Sequence, residues 1–171
     1  GQGSQGTNAI AIGVGSGSSN QRSGSIAIGY FAGFQDQSGN AIAIGVQAGQ
    51  TSQATVAIAI GYQAGFSAQG TNGIAIGALA GYSGQASGAI GIGQQAGYNG
   101  QAVNAIGLGN LAGQNGQRTG AVGIGFQAGA TTQGTNAIAI GATAGQNSQQ
   151  SGAIAIGYQS GYIGATIGAT L

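Results

Sequence analysis

The stretch Asn40-Ala41-Ile42-Ala43-Ile44-Gly45-Val46-Gln47-Ala48-Gly49 decides the fold, because the 171-residue chain repeats this pattern at a fixed spacing. The glycine that ends each Ala-Ile-Ala-Ile-Gly element, here named the closing Gly, recurs every 16 residues, at Gly13, Gly29, Gly45, Gly61, Gly77, Gly93, Gly109, Gly125, Gly141 and Gly157. A strict short period without insertions is typical of one structural unit stacked on itself. The whole chain is therefore interpreted as an array before any residue is considered as a site.

Two further slots of the repeat are invariant. Four residues after the closing Gly comes a second Gly, and the two glycines are predicted to form a turn: Gly13 with Gly17, Gly29 with Gly33, Gly45 with Gly49, Gly61 with Gly65, Gly77 with Gly81, and Gly93 with Gly97. Eight residues before each closing Gly stands a glutamine: Gln5, Gln21, Gln37, Gln53, Gln69, Gln85, Gln101, Gln117, Gln133 and Gln149. Because stacked amides bond to one another along a fibre axis, these glutamines are predicted to form a structural ladder, with ligand binding as the alternative.

The alternation Ala-Ile-Ala-Ile has the period of a β-strand, and the unit is too short and too rich in glycine for two helices. Sixteen residues suit one coil of a parallel β-solenoid, with a strand of about five residues, a turn at the glycine pair, a second short strand near the Gln and a second turn. The sequence therefore predicts an all-β, parallel β-solenoid (a β-roll) of ten 16-residue coils, roughly 48 Å long. Residues 1–162 are predicted to form one domain, and residues 163–171, which break the pattern, are predicted to form a cap or docking surface.

Both faces of the repeated strand are apolar, because Ile and Ala alternate. A thin coil buries only one face within itself, so the other is expected to be covered by identical chains about a three-fold or two-fold axis. Which face lies at the axis stays open at this point. The branched residues, here named the Ile columns, are predicted to be core: Ile10, Ile12, Ile26, Ile28, Ile42, Ile44, Ile58, Ile60, Ile74, Ile76, Ile90, Ile92, Ile106, Leu108, Val122, Ile124, Ile138, Ile140, Ile154 and Ile156.

The slot before each Ala-Ile-Ala-Ile predicts a left-handed backbone conformation at the second turn. It holds only Asn or Gly, the residues that best tolerate positive φ, with the single exception of Val56. The alternation of Asn and Gly along this slot also suggests an ancestral duplication of 32 residues.

Composition excludes several classes of function. The chain has two Arg, one acidic residue and no His, Cys or Lys. It therefore lacks a general base to activate a nucleophilic side chain, and it lacks a set of side chains that could bind a metal ion. We expect no enzyme activity, no cofactor and no metal. A net charge of +1 indicates no basic surface that would bind nucleic acid. Glycine also interrupts every apolar run well before the roughly 20 residues that a membrane-spanning helix needs. The Gly1–Gly6 match to a dinucleotide fingerprint is interpreted as chance, because no helix follows it.

The repeat resembles the head repeats of bacterial trimeric autotransporter adhesins of the YadA type, and similar arrays in phage and large-virus fibre proteins. The matching element is the strand followed by Ala-Gly and a polar turn, as in residues 40–49, and it covers essentially the whole chain. The resemblance implies a left-handed parallel β-roll, trimerised through its inner strands, that works as an adhesive or spacer head. The family's common unit is about two residues shorter, and no heptads, stalk or membrane barrel follow here, so a fibre protein fits better than a surface-anchored adhesin.

Aromatic residues gather in two slots, one after the closing Gly (Tyr30, Tyr62, Phe126, Tyr158) and one after the second Gly (Phe34, Phe66, Tyr82, Tyr98, Tyr162). We expect packing along the roll's corner, with a grip on sugars or another fibre as the alternative. The charged residues Arg22, Asp36 and Arg118 are interpreted as solvent-exposed exceptions to an otherwise uncharged repeat.

The leading hypothesis is a structural fibre or filament protein, extracellular or on a virion, with an adhesive role. Its expected partner is itself, as a trimer or an end-to-end polymer, and a ligand on a host surface or in a matrix is kept open. An ice-binding protein is the first alternative, although the slot two residues after the Gln carries no regular Thr row. A functional amyloid of a biofilm matrix is the second.

Overall fold

A computed structural model describes residues 4–162 and shows a parallel β-solenoid with one repeat per coil. The predicted terminal segment 163–171 lies outside the described residues. Within them no helix occurs, and the strands are β1 (Ile10–Ile12), β2 (Ser19–Gln21), β3 (Ile26–Ile28), β4 (Gln35–Gln37), β5 (Ile42–Ile44), β6 (Thr51–Gln53), β7 (Ile58–Ile60), β8 (Ser67–Gln69), β9 (Ile74–Ile76), β10 (Ile90–Ile92), β11 (Ile106–Leu108), β12 (Val122–Ile124), β13 (Thr131–Gln133), β14 (Ile138–Ile140), β15 (Asn147–Gln149) and β16 (Ile154–Ile156).

The repeated Ile-x-Ile strands form one ten-stranded parallel sheet in the order β1-β3-β5-β7-β9-β10-β11-β12-β14-β16. Equivalent residues of successive coils pair directly, as Ile42 does with Ile58 and Ala43 with Ala59. The 16-residue period and the parallel register are therefore confirmed. The strands have three residues each, shorter than the five expected, because the closing Gly turns the chain at once.

The second strand near the Gln is present in two separate sheets, β2-β4-β6-β8 and β13-β15. Between them, Ser83, Asn99 and Asn115 form only isolated bridges to the neighbouring coils. The three interrupted coils share a glycine directly before the Gln, at Gly84, Gly100 and Gly116, where other coils carry a side chain. Because glycine weakens a strand, the predicted second strand is reduced there to a single bridge per coil.

Alanine and glutamine, rather than isoleucine, fill the interior of the coil. Ala43 at the centre of a strand, Ala48 before the second Gly and Gln53 are all fully buried, and the same slots are buried in the neighbouring coils. The prediction of an Ile core is wrong for the single chain, because the Ile columns lie on the outer side of the sheet. Most of their side chains are half-buried. The exposed ones are Leu108 and the four Ile residues of the first and last strands, Ile10, Ile12, Ile154 and Ile156. A 16-residue coil that encloses a glutamine side chain has no room for two Ile side chains as well.

The left-handed conformation predicted before Ala-Ile-Ala-Ile is confirmed in every coil. Asn40 has φ 57° and Gly88 has φ 67°, and Val56, the exception in sequence, has φ 59° all the same. The alternation of Asn and Gly has a steric basis in the structure: a Cβ on Gly24, Gly88 or Gly120 would collide with the Oδ1 of the Asn one coil later. In these three pairs of coils, the Asn side chain occupies the space that a Cβ in the coil before would need.

Replacing Val56 by asparagine is expected to stabilise the chain by about 1 kcal/mol, since a β-branched residue in the left-handed region carries roughly 1–2 kcal/mol of strain. Urea unfolding followed by circular dichroism measures this change. Val103→Asn is the matched control, because Val103 is similarly exposed, at 43% against 46% for Val56, but lies outside the positive-φ positions. The control is expected to stay within about 0.5 kcal/mol of the unaltered chain.

Candidate functional site

The predicted Gln ladder is a buried, hydrogen-bonded row inside the solenoid. The amide Nε2 of Gln85 donates to the backbone oxygens of Ile74 at 2.7 Å and Ala89 at 3.2 Å, and lies 3.1 Å from Oε1 of Gln101. The same pattern recurs from Gln37 to Gln133, so amides bond along the axis as expected. Gln5, in contrast, is exposed and donates only to Ala9. The buried amides are closed to ligands, which leaves the ladder a structural role.

The glycine pair that turns each coil is in place where the sequence predicted it. The closing glycines have φ between 118° and 133°, and the second glycines have φ between 50° and 57°. A Cβ on Gly33 would lie 2.7 Å from Oε1 of Gln37, which shows why the second Gly is invariant: it leaves space for the ladder amide. The turn and the ladder therefore form a single structural unit.

The aromatic residues divide into two groups with different surroundings. Phe66, Tyr82 and Tyr98 stack face to face along the solenoid, with ring centroids 4.9 and 5.0 Å apart. The column after the closing Gly is exposed, with Tyr62 at 52% and Phe126 at 51%. Phe31, which lies outside both predicted slots, contacts Tyr30 and Phe34 edge to face. Packing is thus present in the second slot, whereas the first slot projects from the surface.

The outer face of the ten-stranded sheet is the largest apolar feature of the described chain. Its two adjacent columns carry a branched aliphatic side chain in every coil, in register across all ten strands. Neither column contains a charged or polar residue. Sequence reasoning identified these residues but assigned them to the interior. The sequence does contain a sign of their outward orientation, which is variation in side-chain size. Leu108 and Val122 replace Ile in these columns, whereas the central residue of each Ile-x-Ile strand is always Ala or Gly.

The charged residues are separated from this face. Arg22 and Arg118 follow the ladder glutamines Gln21 and Gln117, and both are exposed. Asp36 accepts a hydrogen bond from Nδ2 of Asn20 at 2.9 Å. Grooves border both arginines, and the larger of the two beside Arg118 has a volume of about 480 Å³.

Comparison of the chain with protein-family models, with curated proteins and with solved structures finds no match in any of the three. In residues 4–162 no helix is long and apolar enough to cross a membrane. The same residues contain no group of three side chains suited to hold a metal ion. What this chain does must therefore be inferred from its own geometry.

Proposed function

We propose that the chain is a structural protein: a rod that assembles by burying its Ile columns against further copies of itself. The observation that carries the proposal is the outward orientation of these columns on a continuous ten-stranded sheet. Contiguous apolar patches of this extent mark interaction surfaces in soluble proteins. The role is non-catalytic, and the rod's length and regularity are the functional properties.

A second copy of the chain is the partner that fits this surface best. Side chains in each column repeat at the spacing of parallel strands, about 4.8 Å, and no side chain in the columns needs a polar partner. Copies placed side by side bring aliphatic rows of the same spacing together, and a closed symmetric assembly forms when the rows of all copies face one rotation axis. A trimer about an axis parallel to the rods is the arrangement that the resemblance to adhesin heads favours.

We place this rod in a fibre outside the cell or on a virion, where a long and regular rod serves as a structural element. The resemblance to adhesin heads and fibre arrays supports this setting. The rarity of charge suits the stacked rod itself, because an in-register stack places like residues about 4.8 Å apart. The exposed aromatic residues after the closing Gly, Tyr30, Tyr62, Phe126 and Tyr158, give the rod points through which a fibre can adhere.

Ile76→Lys tests the interface, because Ile76 is half-buried at the middle of the sheet. The lysine is expected to be tolerated in a single chain but to place several ammonium groups in the apolar interface, which is costly. Sedimentation velocity should show the assembly dissociating into single chains. Ser67→Lys, on the polar strand β8, is the matched control and should leave the particle mass unchanged. An Ile76→Lys particle that keeps the unaltered mass would contradict the proposal.

The ice-binding alternative is separated from the fibre proposal by one further measurement. The slot two residues after the Gln mixes Thr, Ser, Gly and Val, so its side chains give no regular hydroxyl row. A structural rod is expected to show no thermal hysteresis in a nanolitre osmometer, and measurable hysteresis would favour ice binding instead.

A further inference from the structure

A polar groove beside Arg118 is a second surface whose chemistry points to a ligand. The groove has a volume of about 480 Å³ and is lined by Gly100, Gly116, Arg118, Thr119, Thr132 and Thr135, among others. A smaller groove of about 210 Å³ borders the same arginine on its other side, next to Ser148 and Gln150. None of the lining residues belongs to the Ile columns, so the surface stays accessible in the proposed assembly.

Missing side chains open this groove. The slot directly before the Gln carries Asn20, Asp36, Ser52 and Ala68 in the earlier coils. The next three coils have glycine there, at Gly84, Gly100 and Gly116, and the last two of these line the groove. Space is available above both glycines: a Cβ on Gly100 would meet nothing within 4 Å, and a Cβ on Gly116 would meet Thr132 Cα at 3.6 Å. These two coils therefore form a depression, which Thr132 borders in the next coil.

The groups around the groove are free to bind. The guanidinium of Arg118 and the hydroxyls of Thr119, Thr132 and Thr135 make no hydrogen bond or ion pair within the described chain. The backbone amides, in contrast, are already used, since Gly100 N donates to Ser83 O at 3.1 Å and Gly116 N donates to Asn99 O at 3.1 Å. A peptide strand therefore finds no unpaired edge there, whereas a ligand with its own hydroxyl and acidic groups finds free side-chain partners.

We propose that the Arg118 groove binds an acidic oligosaccharide, with its carboxylate or sulfate on the guanidinium and its hydroxyls on the three threonines. The groove beside Arg22 lacks this character. Asn20 lines that groove and donates to Asp36, the only acidic residue in the chain, so a negative charge lies close to it. An anionic ligand is repelled there and attracted at Arg118.

The test is binding of immobilised glycans to the assembled protein, measured by biolayer interferometry at low ionic strength. Heparin oligosaccharides supply sulfate, hyaluronan oligosaccharides supply carboxylate alone, and dextran is the neutral control. At least one acidic glycan is expected to bind, dextran is not, and the preferred glycan identifies which anion the groove takes. Arg118→Gln is expected to weaken binding by about tenfold or more, since a charge-assisted hydrogen bond is lost, whereas Arg22→Gln should leave it nearly unchanged.

Filling the groove provides a second test that does not depend on charge. Gly100→Asn and Gly116→Asn are expected to fold normally, because Asn20 occupies the same slot with φ 60°, close to the 67° and 70° of these glycines. Both should weaken glycan binding by about tenfold, because the added side chain would keep the glycan from its hydrogen-bond partners in the groove. Ala68→Asn, in the same slot outside the groove, should leave the binding unchanged. Absence of acidic-glycan binding, equal binding of polyglutamate, or an Arg118→Gln variant of unchanged affinity would overturn the proposal. Each of these results leaves the particle mass, and hence the fibre proposal, unaffected.

Discussion

Gly93→Ala is expected to destabilise the rod strongly, because the added methyl group would collide with the backbone of the next coil. Gly93 has φ 127°, and a Cβ there would lie 2.5 Å from the carbonyl oxygen of Gly109 and 2.6 Å from its carbon. The strained backbone costs about 1–3 kcal/mol, and separating two coils to relieve the clash adds about 1–3 kcal/mol. Urea unfolding should show a loss of about 2–6 kcal/mol, the sum of these two effects.

Gly157→Ala is the matched control, because it separates strain from collision. Gly157 has φ 118°, similar to Gly93, but no described atom lies within 4 Å of a Cβ built there. Only the strain of about 1–3 kcal/mol is expected for this variant. Equal losses for the two variants would show that stacking of the closing glycines against one another does not determine their identity.

Gln85→Glu is expected to have the second large effect, because it places a carboxylate where an amide donates. The amide of Gln85 donates to two backbone oxygens and lies beside Oε1 of Gln101, so the carboxylate oxygen that replaces Nε2 would face acceptors only. The other carboxylate oxygen would keep the single donor that Oε1 has now, the Nε2 of Gln69 at 3.1 Å. An uncompensated buried charge costs about 3–5 kcal/mol. The free energy of unfolding at pH 7 should fall by that amount, while Gln5→Glu at the exposed end should change it by less than about 0.5 kcal/mol.

The Gln85→Glu loss should depend on pH in a defined direction. Burial among acceptors raises the pKa of the introduced carboxyl in the folded chain above its unfolded value of about 4.3. The folded state then binds the proton more tightly than the unfolded state, so the penalty is smallest below pH 4 and grows as pH rises through the folded pKa. A penalty that stays constant between pH 4 and pH 8 would indicate that the residue reaches solvent.

The sequence predicted most of the fold because ten copies report on each slot independently. The 16-residue period predicted the length of one coil, and the absence of insertions predicted the parallel, in-register pairing of successive coils. The slot that holds Asn or Gly predicted the left-handed turn, which is present even at Val56. The orientation of the strand was predicted wrongly, since Ala and Ile alternate and both are apolar. What decides it is volume: Gln53 and Ala48 already fill the coil around Ala43, so Ile42 and Ile44 must point outward.

The polar groove was beyond sequence reasoning for a different reason. Gly100 and Gly116 resemble any other glycine in a chain with 40 of them, and Arg118 resembles a solvated exception. Their relation depends on stacking, which places residues 16 positions apart side by side in adjacent coils. Only the three-dimensional arrangement shows that the missing side chains and the unpaired cation border the same depression.

Light scattering coupled to size-exclusion chromatography tests the central claim, that copies of this chain bury the Ile columns against one another. A discrete particle of three times the 16.1 kDa chain mass is the predicted result, and it should be unchanged on dilution through the micromolar range. A particle of 16.1 kDa would contradict the claim, because the Ile columns of a stable single chain would then face water along the whole rod.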